Sequence, residues 1–508
     1  MSDDAIPVEA SWAATPTSPV GSTAIRGSLW TIGGYAVGQL LRLGSNLILT
    51  RLLFPAVFGE MALVFIFIQG LQMFSDVGTG PAIVQSARGD DAGFLNTAWT
   101  IQCGRGAVLW LLSWAIAWPV ASFYGQPLLR WLLPGAGLTA LIGGFESTAM
   151  HTLQRHLRLE RLTIVELMGQ LAAIVATVVL ALLDRWSYGA NHPSAVWAIV
   201  GGSLVSSVLR VVLSHTYLPG VRNRLHLDRV AATHLLSFGR WIFVSTLLSF
   251  LASQADRLIF GKMIPIAVFG VYSVASMLAA LPTQAVLKLG GSVIFPAYSR
   301  LARRDDFPEV FWRVRWPLLL GGATIVSGLI ACGPFLIRVL YDARYAQAGR
   351  ILQYLSAAAW FQILECTNGA ALLAKGRVRW VAAGSGAKVV AMIALVPLGY
   401  HLRGFEGALV GLVVSEVLKY LTAACGTAAA GLRGFLRDLL LTAVVAGVSA
   451  TGFQIGGMGA EGGGRSVWGL AAAAAGVIMP WGAVLAFYAL KEKQEWSMRA
   501  AWRAVPPA

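Results

Sequence analysis

The chain has 508 residues, of which 56% are hydrophobic and only 12% charged, and its mean hydropathy is +0.67. An ordinary soluble domain carries roughly 25% charged residues, so the charge here is too sparse to coat several soluble domains, and most of the surface must face lipid. The net charge of +15 comes with no zinc-ligand spacing and no RNA-binding aromatic motif, which leaves nothing to support a nucleic-acid partner.

Residues 1–25 are rich in Ser, Thr, Pro and Ala and carry Asp3, Asp4 and Glu9. A secretory signal would open on positive charge and close on a cleavage site, so this stretch reads as a disordered cytoplasmic tail. A helix needs about 20 apolar residues to cross a hydrocarbon layer roughly 30 Å thick. Windows of that size predict fourteen spans, at 28–50, 57–80, 97–122, 127–149, 163–183, 194–217, 240–261, 268–290, 316–340, 350–374, 380–400, 405–426, 438–456 and 466–490. The fold class is therefore an all-α polytopic membrane protein with about 14 transmembrane helices.

The loops orient these spans. Those after even-numbered spans are basic: Arg88; Arg155, Arg158 and Arg161; Arg222, Arg224 and Arg229; Arg300, Arg303, Arg304, Arg313 and Arg315; Lys375, Arg377 and Arg379; Arg433 and Arg437; then Lys491, Lys493, Arg499 and Arg503. The alternate loops carry mostly single cations such as Arg51, Arg185, Lys262, Arg403 and Arg465. Basic loops stay on the cytoplasmic side, which places both termini there.

Residues 56–59 read Ala-Val-Phe-Gly, and so do residues 267–270, an offset of 211. At that offset Trp30 meets Trp241, Leu40 meets Leu251, Ile48 meets Ile259, Arg51 meets Lys262 and Ile83 meets Ile294. Six spans separate the copies, so both run in the same direction through the membrane, as in transporters built from parallel repeats. The expected organisation is a tail at 1–25, a six-helix lobe at 26–220, a second at 221–430 related by a pseudo-twofold axis, two additional helices at 431–490 and a cytoplasmic tail at 491–508.

Ionisable groups inside a bilayer cost at least about 2.5–3.5 kcal/mol each and usually face the bundle interior. Gln39, Arg42 and Asn46 share one face of the first span. The repeat maps them onto Phe250, Ser253 and Arg257, with Asp256 beside the last. Gln69, Gln72 and Asp76 share a face of the second span, and Gln284 and Lys288 one of the eighth. Arg105, Glu146, Glu166, Arg210, Glu365, Lys388, Glu416 and Lys419 add charge within or near spans. Several cations and few anions around a cavity suit an anionic headgroup, since the arginine fork donates paired hydrogen bonds to phosphate oxygens.

Structural alternatives stand beside these readings. Asp256 and Arg257 can neutralise each other, Arg105, Arg210, Lys388 and Lys419 can snorkel from span ends, and Asp76 can cap a helix break before Gly78. Glu146, Glu365 and Glu416 are candidate ion-coupling groups or interhelix hydrogen-bond partners. Gly407 and Gly411 fit close helix packing, and the glycines at 456–464 read as a flexible external linker.

No Gly-x-x-x-x-Gly-Lys-Ser/Thr motif occurs, no loop is long enough for a catalytic domain, and no Cys/His cluster has ligand spacing. The thiols Cys103, Cys332, Cys366 and Cys425 fall within spans, where they pack as small apolar groups. Neither an enzyme, a cofactor nor a metal site is expected.

The stretch from Thr50 to Gly59, then Asp76-Val-Gly78 and Ala82-Ile-Val-Gln85, resembles the opening of the polysaccharide-type flippases of the multidrug/oligosaccharidyl-lipid/polysaccharide exporter superfamily. Asp256-Arg-Leu-Ile-Phe-Gly261, Phe269-Gly-Val-Tyr272, Leu281-Pro282 and Phe295-Pro-Ala-Tyr-Ser-Arg-Leu301 resemble later landmarks of that family in order and spacing. Beyond residue 380 the likeness rests on span count alone. The resemblance implies a flippase for undecaprenyl-diphosphate-linked oligosaccharide repeat units of an exopolysaccharide, capsule or O-antigen. Two rocking lobes would surround a cationic cavity, with membrane lipids around them and the polymerase and chain-length machinery as partners. Arg42, Arg105, Asp256, Arg257 and Lys288 become candidates for the headgroup site, with Gln39, Asn46, Gln72, Asp76, Ser253 and Gln284 lining the cavity. The alternatives are an exporter of drugs or of the peptidoglycan precursor on the same architecture, or a membrane-embedded polymerase or ligase. A drug exporter should have a more acidic cavity, and a polymerase or ligase generally needs a large external loop.

Overall fold

The computed structural model describes residues 19–75, 78–189, 192–289, 298–299, 307–432, 434–463 and 467–484. Helices account for nearly all of them, and no strand occurs among the described residues. In chain order they are α1 (Pro19–Leu52), α2 (Pro55–Phe74), α3 (Thr79–Gln85), α4 (Ala92–Tyr124), α5 (Leu129–Gly143), α6 (Ala149–Arg155), α7 (Leu159–Tyr188), α8 (Val196–Thr216), α9 (Arg229–Met263), α10 (Ile266–Leu289), α11 (Phe307–Leu340), α12 (Ala348–Ala374), α13 (Val378–Ala429), α14 (Phe435–Gly463) and α15 (Val467–Val484).

Each of the fourteen sequence windows overlaps one of these helices. Nine helices among the described residues are long and apolar enough to cross a membrane, and the chain is a multi-pass membrane protein. One of the nine, α13, counts 52 residues and would reach roughly 78 Å if straight. It breaks at Arg403 and at Gly404, whose φ is 61°, so its two limbs fold back on each other. They touch where Gly399 meets Gly407: a Cβ on either would lie 2.1 Å from the other's carbonyl oxygen. Gly411 likewise backs onto the Leu395 carbonyl, the close packing that small residues permit.

The fourth window is interrupted. Helix α5 stops at Gly143 after 15 residues, and near that end α4 approaches so closely that a Cβ on Gly106 would meet the Ala140 carbonyl at 2.7 Å. The glycines from 456 also behave differently from a linker, since helix α14 runs on through Gly463. Gly452, Gly456 and Gly459 form a seam against α15. Added Cβ atoms would lie 2.8 Å from Val477, Ala473 and Ala472 side chains respectively. Glycine is a poor helix former by about 1 kcal/mol, but here it lets two helices pack backbone to backbone. Helix α1 begins at Pro19, inside the predicted tail; residues 1–18 and 485–508 lie outside the described residues, as does most of the motif at 295–301.

The chain divides into two compact units. One comprises the residues up to Leu53 with Val64–Leu247, the other Phe54–Leu63 with the residues from Leu248 onward. In the first, α7 packs on α1 and α8, and α5 on α4 and α8. Arg155 closes α3 by donating to the carbonyls of Ile83, Val84 and Ser86 at 3.2, 2.9 and 2.6 Å, which satisfies helix-end acceptors with a cation. The segment leading to α9 is strapped to the same unit. Its backbone N–H groups at Arg224, His226 and Asp228 donate to Asn96, Thr100 and Thr97 side chains on α4 at 2.9–3.0 Å. The change of unit comes at Leu247–Leu248, inside α9.

In the second unit α12 packs against α10, α11 and α13, and α14 against α11. Its core gathers Leu319, Val326, Trp360, Ile363, Tyr420, Leu441 and Trp481. The two copies of Ala-Val-Phe-Gly meet there, α2 at Gly59 against α10 at Gly270.

Candidate functional site

The charged side chains inside the spans fall into two groups, and packing separates them. One group is paired and at least partly buried. On α12 and α13, Lys388 Nζ stands 2.6 Å from Glu416 Oε1 and Lys419 Nζ 2.9 Å from Glu365 Oε2. Gln362 donates to Glu416 at 2.8 Å. In the first unit Arg210 Nε stands 3.1 Å from Glu146 Oε1, and the same guanidinium donates to Oε2 at 3.2 Å. All three candidate coupling glutamates therefore face a cation, and the lysines at 388 and 419 are held by carboxylates rather than snorkelling.

A further pair was not legible as such. Arg315, with no exposed surface, donates to both carboxylate oxygens of Asp438 at 2.8 Å and to Thr367 at 2.9 Å. The Tyr420 hydroxyl adds a bond to Asp438 at 2.9 Å. The pair joins α11 to α14, and its geometry is bidentate with the remaining donors satisfied, the condition under which a buried ion pair is tolerated. Sequence reading counted Arg315 among loop cations. The available signal was Asp438, a lone carboxylate in an apolar window.

The second group comprises the headgroup candidates. Arg42 is exposed on α1, ten residues or about 15 Å before the helix ends at Leu52, and no hydrogen bond or ion pair holds it among the described residues. A guanidinium held within a membrane-crossing helix would cost several kcal/mol against lipid. Gln39, one turn earlier, donates its amide to Tyr35 at 2.8 Å, and Asn46 is half-buried. Arg105, on α4, donates to Ser75 Oγ at 2.9 Å and to the Gln72 carbonyl at 2.7 Å. It closes the C-terminal end of α2, where a cation complements the helix dipole. The Gln72 side chain is exposed. Asp76 lies outside the described residues.

In the second unit Asp256 and Arg257 do not pair, since adjacent helical residues point apart. Tyr272 donates to Asp256 at 2.5 Å, and Arg257 donates to Gln254 at 3.3 Å. Ser253 and Gln284 are exposed. Lys288 is exposed too, but it occupies the last turn of α10. Glu166 is exposed near the start of α7. Within each unit no ion pair joins any two of Arg42, Arg105, Asp256, Arg257 and Lys288 among the described residues. The carboxylates at 146, 365, 416 and 438 thus each face a cation, while Arg42 is exposed on α1. No His, Cys, Asp and Glu group able to hold a metal ion occurs among the described residues.

Comparison with known proteins agrees with this architecture. The chain is 22% identical over 409 residues to the lipopolysaccharide biosynthesis protein WzxC of Escherichia coli, covering 78% of this chain and 79% of that one. It is 23% identical to the teichuronic acid biosynthesis protein TuaB of Bacillus subtilis, over 60% of this chain and 62% of the relative. Among solved structures, the lipid II flippase MurJ in an inward closed conformation superposes with a TM-score of 0.67 at 13% identity, covering 91% of this chain and 99% of its own. An inward-facing multidrug resistance MATE transporter gives 0.56 at 15% identity, over 80% and 95%. The fold is thus that of the MurJ and MATE transporters. Residues 48–350, more than half the chain, match the model of the polysaccharide biosynthesis protein family, and the chain belongs to that family.

Proposed function

We propose that this protein is a flippase that moves undecaprenyl-diphosphate-linked oligosaccharide repeat units across the bacterial cytoplasmic membrane by alternating access, supplying exopolysaccharide, capsule or O-antigen assembly. The observation that carries this reading is Arg42: a guanidinium exposed on α1, in a chain of this family whose carboxylates at 146, 365, 416 and 438 each face a cation. A diphosphate offers the acceptors that its planar fork matches. Arg105, Asp256, Arg257 and Lys288 complete the proposed headgroup site, with Gln39, Asn46, Gln72, Asp76, Ser253 and Gln284 along the route.

Both termini are assigned to the cytoplasm by the basic loops. The reaction needs no bond chemistry, so the work is transport and not catalysis, with the polymerase and chain-length machinery downstream. Glu146, Glu365 and Glu416 remain the coupling candidates. Each faces an arginine or lysine, so an incoming proton would release that cation. Deletion of the gene tests the function: lipid-linked repeat units should accumulate on the cytoplasmic leaflet while finished polymer disappears. Normal polymer in that strain would refute it.

A further inference from the structure

In the second unit, α12 and α13 leave an open cavity of about 460 Å³ lined by Arg350, Gln353, Tyr354, Ala357 and Glu406. That volume lies within the roughly 300–1,000 Å³ of small-ligand sites. Residues 350, 353, 354 and 357 share one face of α12 by helical spacing, and Glu406 follows the break of α13 at Arg403 and Gly404. Arg350 donates to Glu406 at 2.8 Å, yet the two side chains remain 76% and 55% exposed and can still reach a ligand. Gln353 spends its amide N–H on the Ile330 carbonyl at 2.9 Å, which leaves its Oε1 as an acceptor.

This lining discriminates between ligand classes. Glu406 cancels the charge of Arg350, so the cavity suits neither a diphosphate nor a cation. Four polar residues among five disfavour an apolar drug. A pyranose fits: its neighbouring hydroxyls each donate and accept, which a guanidinium beside a carboxylate and an amide oxygen can answer. Its C–H face can lie on a tyrosine ring, apolar in body and polar at the tip. In the orientation proposed above, Arg350 follows an external loop and Glu406 sits in the external turn between the limbs of α13. We propose that this cavity is an outward saccharide subsite, engaging a neutral sugar ring of the carried oligosaccharide separately from the headgroup contact at Arg42. The proposal rests on the flippase reading and deepens it.

The test uses the full chain in nanodiscs, titrated with the host's own repeat-unit oligosaccharide freed from its lipid by mild acid, with binding followed by saturation-transfer NMR. Tyr354→Ala and Glu406→Gln should each weaken binding by about tenfold, the loss of one hydrogen bond to a charged group or of a ring contact. Tyr354→Phe should bind within a few-fold of the wild type, and excess inorganic pyrophosphate should not displace the sugar. Unchanged affinity in both Tyr354→Ala and Glu406→Gln, displacement by pyrophosphate, or no saturable binding to the wild type would each overturn the subsite. The deletion strain judges the flippase reading independently, so accumulation there with no sugar binding here removes the subsite alone.

Discussion

Gly59 and Gly270, 211 positions apart in the two copies of Ala-Val-Phe-Gly, back onto one another at the starts of α2 and α10. A Cβ on Gly59 would lie 2.2 Å from the Ile266 carbonyl oxygen, and a Cβ on Gly270 would lie 1.8 Å from that of Pro55. Residues 55 and 266 are themselves repeat partners, so the contact is reciprocal, as a two-fold relation requires. The repeated tetrapeptide is thereby explained: each glycine is the opening through which the other helix approaches.

Substitution at this crossing should be costly. Gly59→Ala and Gly270→Ala must push backbone apart, a strain of about 1–3 kcal/mol, and thermal melting of the purified protein should fall accordingly. Gly33→Ala, inside α1 with nothing within 4 Å of an added Cβ, should melt no lower than the wild type, since alanine favours helix over glycine. Wild-type melting of both Gly59→Ala and Gly270→Ala would show that the helices do not cross there.

The Arg315–Asp438 pair makes a second prediction. Arg315→Ala leaves a buried carboxylate without its counter-charge and should destabilise the protein by about 3–5 kcal/mol, whereas removing both charges in Arg315→Met with Asp438→Leu should recover most of that loss. Membrane abundance and melting of the two variants beside the wild type measure it. A double variant no better than the single would show that the charges are not coupled.

Outside the spans, hydrogen bonding from Arg88, and then from the Gly93 N–H, holds the Asp91 carboxyl below its usual range. A depressed folded-state pKa stabilises the native state above the unfolded value, and the gain is lost as pH falls through the folded one. Asp91→Asn should therefore melt lower than the wild type at neutral pH. The two melting curves should converge only as the pH falls below the ordinary carboxylate range. A difference that persisted undiminished in acid would assign the effect to something other than the charge.

Arg42 and Arg105 should respond differently to the same substitution. Arg42→Ala and Arg257→Ala are expected to abolish polymer export at unchanged membrane abundance. Arg105→Ala should lower abundance as well, since its guanidinium closes the end of α2. Quantitative immunoblotting of membranes beside polymer assay separates these outcomes.

Helical spans were readable because about 20 apolar residues are needed to cross the hydrocarbon, and the repeat was readable because Gly59 and Gly270 cannot be replaced cheaply. Pairing between helices was not. Glu365 meets Lys419 and Glu416 meets Lys388 only after α12 and both limbs of α13 assemble, and no spacing within one helix encodes it. Asp256 turned out to take its hydrogen bond from Tyr272 on α10 rather than from its neighbour Arg257. Composition misled at Gly456 and Gly459, where glycine that signals a loop by propensity instead serves a tight α14–α15 seam. Arg42, by contrast, was visible in sequence as the cation of a polar face shared with Gln39 and Asn46, and its exposure on α1 agrees with that placement.

Transport itself is measured most directly with purified protein in proteoliposomes carrying fluorescent undecaprenyl-diphosphate-linked oligosaccharide in one leaflet, with a membrane-impermeant quencher added outside. Wild-type protein should carry the labelled lipid between leaflets much faster than protein-free vesicles, and Arg42→Ala should slow it towards their rate. Quenching by wild-type vesicles no faster than by empty ones would contradict the proposed function.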